Sequence, residues 1–374
     1  MTHTKQKAAV RIAAAFTMAL AILITVSFSG CEMKSLIPNG DRNQTTQSPV
    51  IPGENLGNQG TTAPPPAPVP TYFSLLTGLE TSEELSVLRP ISICIGNTSY
   101  AMPQYGLSKA EILVEIPVEG GISKLMMITT DYASLERIGS IRSTRESLAK
   151  IADSFDAIQS YAGTSDEGAS VSLPYDTLDY LMQNLTSVYY RDTGRYAPHN
   201  LMTSGGMLSA GIDSLGYRTT VEESFTLPYG FVPYGESKLP AGSTALSVRL
   251  TYSSVHQAEF VYSEAEGTYL RRQLGEDHID GLSGSALTFS NLLFLSSNTL
   301  TYDTASGSTM DLALEGGGSG IWCSGGMCQK IQWEYDDEGG LRITDLDGNL
   351  LSINRGATYI GFYKASQTNS VSYQ

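Results

Sequence analysis

Apolar and polar positions fall into four textures along the chain. Ile12 to Ser29 is an uncharged run rich in Ala, Ile and Leu, and Glu32 to Thr71 carries no apolar periodicity. After that, strand-like and helix-like periods interleave. Ile91 to Ile95 is an apolar run closed by Gly96-Asn97 and reads as a strand. Glu111 to Val118 alternates, with Ile112, Val114 and Ile116 on one side and Leu113, Glu115 and Pro117 on the other; Pro117 points to an edge or a bulge. Gly120-Gly121 predicts a hairpin turn, and Lys124 to Thr130 its returning strand. Ser143 or Thr144 is placed to cap a helix from about Arg145 to Ser154, followed by a strand over Ala157 to Ala162. Pro174 to Met182 reads as a helix with proline in its first turn, and Ser204 to Ser214 as a helix stopped by Gly216.

From about Ser237 the pattern changes to short strands separated by turns, with Asp347-Gly348 and Gly325-Gly326 as hairpin signals. The Gly316 to Gly320 run has no following helix, so it reads as a turn rather than a phosphate cradle. Tyr229 to Tyr234 reads as a domain linker or an apolar patch. The expected class is α+β, with a mixed α/β domain over 72–230, a mainly β domain over 231–365 and a tail over 366–374.

The first two textures give an address. Lys5, Lys7 and Arg11 precede the apolar run, and Ser29-Gly30 precede Cys31. Residues 1–30 therefore read as a lipoprotein signal peptide with Cys31 as the acylated residue, although Phe28 stands where Leu is usual. An uncleaved membrane anchor is the alternative, and both place the body outside the cytoplasmic membrane. Residues 31–71 hold eight of the 16 prolines and read as a disordered stalk. As a coil it spans roughly 35 Å.

Hydrophobic residues make up 41% of the sequence and charged residues 16%, so the body is able to bury a core. The formal charge is −15. That acidity argues against nucleic acid as a partner and leaves the membrane, through the lipid, and a cell-wall polymer or envelope protein. His199, His256 and His278 are too scattered for a histidine metal motif, and no cofactor is expected.

Five of the 14 arginines lie between Arg137 and Arg195. Arg142, Ser143 and Arg145 precede a helix, and Arg191, Arg195, His199 and Asn200 lie in one later run; together they form a candidate anion clamp. Glu115 and Glu119 are candidate acid and base or arginine partners, and Asn97 is a further ligand-binding candidate. The bland reading is that these groups only fix the fold. Ser147 and Lys150 satisfy SxxK, with Ser296-Ser297-Asn298 downstream, but no Lys-Thr-Gly follows. A two-residue turn at Gly325-Gly326 would set Cys323 opposite Cys328, either as a disulfide or as free thiols, and Cys94 reads as a core residue.

Several of these segments resemble the YerB-like family of lipoproteins. They are Arg89-Pro90, Gly96-Asn97, Gly106 to Glu111, Glu115, Glu119 to Ile122, Ile138 to Ser143 with Arg145, Tyr190 to Asp192, and Arg195 with Ala197 to Leu201. Tyr269 to Arg271, Gly316 to Gly320, Gly325, Trp333 and Gly356 to Thr358 are similar to that family's second part. Ser140, where the resemblance expects proline, and the Cys323/Cys328 pair depart from it. The resemblance implies a two-part body of unknown biochemical function from a Gram-positive-type bacterium. The reading that follows is a non-catalytic binding or scaffold lipoprotein of the cell envelope. The alternatives are an envelope enzyme acting on an anionic substrate through Glu115 or Glu119, His199 and the arginines, and a solute-binding lipoprotein of a transporter.

Overall fold

The computed structural model describes residues 69–164, 175–183, 185–304, 307–367 and 369–374. The leader, Cys31, the stalk up to residue 68 and Pro174 lie outside them. A twelve-stranded mixed sheet organises the body. The strands Ile91–Gly96, Ile112–Pro117 and Ser123–Thr129 are buried at every position, as expected of strands covered on both faces. Ile112–Pro117 lies between Ser123–Thr129, to which it is antiparallel, and Thr358–Lys364, to which it is parallel. It is therefore a central strand, not an edge. Pro117 is tolerated because the parallel pairing ends at Glu115. Through Thr358–Lys364 the sheet continues into Asn291–Thr304, Gly318–Ser324 and Met327–Asp336. Strands from both sides of residue 230 thus share one sheet.

A second, six-stranded sheet contains Ser247–Ser253, His256–Ser263 and Thr268–Gln273. Here burial alternates, and Val248, Leu250, Phe260 and Tyr269 pack with Phe294 and Tyr359 of the large sheet. Helix Glu146–Asp153 buries Leu148 and Ile151 with Val114, Met126 and Ile128. Helix Gly205–Leu215 buries Leu208 and Ile212 with Leu178 and Val188. Its Ser204 cap accepts from the Met207 amide and Gly216 closes it in the left-handed region, as the sequence predicts.

The architecture is mainly β; apart from these two, the only described α-helix is the five-residue Glu83–Val87, so the α+β expectation overstated the helical part. Thr177–Asp179, inside the expected Pro174 helix, is a strand parallel to Ile158–Tyr161, and the Asp179 carboxylate ends it by accepting from the amides of Gly163 and Leu181. The helix cap expected at Ser143 or Thr144 falls on Arg145, which makes no capping side-chain bond. The Gly139–Ser140 peptide is cis, where the resemblance expects proline.

The glycine run is a tight strand connection. Gly317 has φ +66°, and a Cβ there would lie 2.0 Å from the Trp333 carbonyl oxygen, whereas Gly316, at φ +83°, faces open space. Gly316→Ala should cost about 1 kcal/mol, from backbone conformation alone, and Gly317→Ala about 2 kcal/mol more, because a neighbouring strand must shift. Urea denaturation of the two variants measures this, and equal losses would contradict it.

Candidate functional site

The sequence candidates separate into two clusters. The first is sealed. Glu115 is fully buried; it accepts hydrogen bonds from Asn97 Nδ2 (3.0 Å), Ser123 Oγ (2.5 Å), Tyr359 OH (2.8 Å) and Arg271 Nη2 (2.7 Å). Burial alone would raise its pKa, but the Arg271 charge, His256 and these hydrogen bonds together hold it below the usual carboxylate value. Arg271 reaches on to His278 Nδ1, and His278 Nε2 lies 2.8 Å from Gln104 Oε1. Burial first, and Arg271 second, push the His278 pKa well down, so the ring is neutral; Nδ1 accepts from Arg271 and Nε2–H donates to Gln104. Gln273 donates to Asn97 Oδ1 (2.7 Å), and His256 Nε2 lies 2.7 Å from Ser123 Oγ. Asn97 and Glu115 are thus parts of an internal lock. Arg271, His256 and His278, which the sequence did not single out as site residues, are its other half.

The second cluster faces solvent. In the described sheet, Ile91–Gly96, Ile158–Tyr161 and Thr177–Asp179 run parallel. Arg142 lies at the carboxyl ends of the first two, its amide donating to the Cys94 carbonyl and its carbonyl accepting from the Ala162 amide. Its stem crosses Gly96, where a Cβ would meet the Arg142 Cγ at 3.0 Å, and its Nη1 donates to the Pro198 carbonyl (3.1 Å). Arg191 donates to Asn200 Oδ1 (2.9 Å) and lies over the Tyr180 ring. Arg195 donates to the Ala101 carbonyl (2.9 Å) and lies over the Tyr105 ring. His199 stacks on Tyr100 at 5.9 Å, and its Nδ1 has no hydrogen-bond partner. Burial, then Arg142 and Arg195, lower the His199 pKa, and burial, then Arg145 and Arg191, lower that of Arg142.

Arg145 Nη2 donates to both carboxylate oxygens of Glu119, at 2.7 and 2.8 Å, and Arg145 Nε also donates to the Met310 carbonyl. The remaining cations differ. Among the described residues Arg142, Arg191 and Arg355 are the arginines without an ion pair, and Arg142 and Arg191 belong to this cluster. Lys124, which the sequence had marked only as the start of a strand, is nine-tenths buried beside them. It donates to Ser143 Oγ (3.0 Å) and the Ser143 carbonyl, and forms no ion pair with a described carboxylate. A lysine inside an otherwise apolar strand, Leu125 to Ile128, was the available signal. Burial, then Arg145, pull its pKa down to about 7.

SxxK chemistry does not assemble. Ser147 Oγ donates to the buried Asp311 carboxylate, while Lys150 turns away to Glu146, Glu315 and Asp337. Cys323 and Cys328 stand opposite one another as expected, and are free thiols.

Among the described residues the geometry defines a protein with an internally locked two-part body and a partly exposed basic face. Family profiles match both parts: the N-terminal domain of a protein of unknown function (DUF3048) over residues 76–218, and its C-terminal domain over 248–360. The chain belongs to this family of YerB-like proteins. It is 27% identical over 303 residues to a Bacillus subtilis (strain 168) protein named "Putative lipoprotein YerB", covering 79% of this chain and 88% of that one. The crystal structure of the Bacillus subtilis YerB protein superposes with a TM-score of 0.69 at 26% identity, covering 81% of this chain and 99% of that chain.

Lys124 carries a pH dependence with a fixed sign. Its folded pKa, about 7, lies below the ordinary 10.5, so between those values the unfolded chain binds more protons and stability rises with pH. Between pH 7.5 and 9.5 the wild type should gain up to about 1.4 kcal/mol per pH unit. Lys124→Met should lose most of that slope. Denaturant melts at both pH values read it out; parallel slopes in the two proteins would contradict the assignment.

Proposed function

We propose that the chain is a lipid-anchored, extracytoplasmic protein of the bacterial cell envelope that binds an anionic wall polymer without chemically altering it. The leader and Cys31 support the address, and the relative's name agrees with it. The observation that carries the binding reading is Arg142, a half-buried guanidinium with no ion-pair partner among the described residues, beside Lys124, Arg191 and His199. In a chain of formal charge −15, cations left without carboxylates mark where negative charge is to come from outside. Tyr100 and Tyr196 stand 80% and 90% exposed at this face, giving flat surfaces on which sugar rings stack. Both acid–base candidates are instead held as anions against Arg271 and Arg145, which favours binding over catalysis.

Two measurements test this reading. Cys31→Ser should move the protein out of the lipid-anchored membrane fraction; unchanged acylation and fractionation would refute the anchor. Arg142→Ala should weaken binding to a purified anionic wall glycopolymer by roughly 10- to 100-fold, as expected for a lost charge-assisted hydrogen bond, with affinity falling as salt rises. Arg249→Ala, whose arginine is exposed and paired with Glu259, should not. Equal affinities for all three proteins would exclude the glycopolymer; capture of an envelope protein instead, lost in Arg142→Ala, would keep the face and change its occupant.

A further inference from the structure

Strands Gly318–Ser324 and Met327–Asp336 are joined through Gly325 and Gly326, with φ of +59° and +76°. Ser324 pairs with Met327, and Cys323 with Cys328. Across a two-residue turn the innermost pair exchanges backbone hydrogen bonds, so the next pair inward does not, and its α-carbons sit about 4.5 Å apart. That is within disulfide range, and the two side chains share one face of the hairpin, in the core between the sheets. Both residues are free thiols. Cys94 packs in the other core cluster, across the large sheet, and cannot compete for either.

The two sulfurs are not equivalent. A hydrogen bond from Cys323 lowers the Cys328 pKa, and Tyr373 adds to this, while burial and the neighbouring Cys328 push Cys323 well up. Cys328 also lies near an open border of the fold. Its strand neighbour is the two-residue Ser243–Thr244, and Tyr373 belongs to the three-residue Val371–Tyr373 at an end of the second sheet. Short edge strands are the parts of a sheet that open most readily.

We propose that Cys323 and Cys328 form a reversible dithiol–disulfide site whose oxidants are low-molecular-weight disulfides. The Cys328 thiolate attacks one sulfur of the incoming disulfide, a mixed disulfide forms and one small thiolate leaves. Cys323 gives up its proton to solvent, attacks the Cys328 sulfur and expels the second small thiol. Two protein thiols are oxidised, one external disulfide is reduced to two thiols, and the hairpin gains a covalent rung. The site is independent of the basic face and of the lipid anchor.

Full-length folded protein is exposed to oxidised glutathione, then denatured, alkylated with iodoacetamide, reduced and labelled with N-ethylmaleimide. No Lys or Arg lies between Arg272 and Lys330, so trypsin leaves both cysteines in one fragment, separate from Cys94 and Cys31. That fragment should carry two maleimide labels after exposure and two iodoacetamide labels without it, while Cys94 stays iodoacetamide-labelled. In Cys323→Ser the glutathione adduct should persist on Cys328, at about ten times the yield on Cys323 in Cys328→Ser. Two iodoacetamide labels after exposure, or a bridge from either cysteine to Cys94 or Cys31, overturns the proposal. The wild-type arm needs no substitution, so poor folding of a variant leaves the test intact.

Discussion

Glu115 and Arg271 meet with no access to water, and the rest of the body is arranged around that fact. Burying two charges costs several kcal/mol each, which their mutual attraction and the surrounding hydrogen bonds must offset. Here the carboxylate takes bonds from Asn97, Ser123, Tyr359 and Arg271, and the guanidinium continues to a neutral His278, while Arg271 Nε and Gln273 Oε1 are left without a hydrogen-bond partner among the described residues. Glu115, Asn97 and Ser123 come from the first half of the chain, and Arg271, His278 and Tyr359 from the second. Separating the halves would therefore expose an ion pair and strip its bonds together. The parallel strand pairing sets the register that this demands. Glu115 lies opposite Gly361, where a Cβ would sit 2.9 Å from the Tyr359 hydroxyl; only the missing side chain leaves room for that hydroxyl to reach the carboxylate.

The same hairpin that closes the lock also builds the basic face. Side chains alternate along a strand, so Ser123 turns into the sealed network and Lys124, the next residue, turns to the opposite side beside Ser143. Glu115 lies within its strand and faces Arg271; Glu119 lies in the turn beyond and reaches Arg145 at the head of the helix. A one-residue slip in this hairpin would exchange the two sides and abolish both sites.

Local features were legible in the sequence because local physics sets them. The Gly120-Gly121 and Gly325-Gly326 turns, the Ser204 cap and the Gly216 stop each depend on residues within a turn of one another. The Cys323–Cys328 register followed from turn length alone. Thr177–Asp179 was misread because its state is decided by pairing with Ile158–Tyr161, not by its own propensity. The internal lock was illegible for a related reason. Glu115 and Arg271 are separated by 156 positions, and nothing near either one names the other. Glu115 and Glu119 looked like equivalent candidates, yet one is dry and the other half exposed. The second half's β character and the grouping of Arg142 with His199 were readable because motif and spacing carried them.

The two clusters treat charge in opposite ways. In the lock, each buried charge is answered by another or by a hydrogen bond, which is what stability requires. On the basic face, Lys124 and Arg142 are pushed toward lower pKa by burial and then by the neighbouring Arg145, which means that holding them there costs folding free energy. The chain has 38 acidic residues against 23 basic ones, so carboxylates to neutralise them are not scarce. Arg145, in the same neighbourhood, has been given Glu119. An acidic protein that pairs one arginine and leaves its neighbours open keeps local positive charge at a net loss of stability. Such a loss is characteristic of sites shaped for something outside the fold rather than for the fold itself.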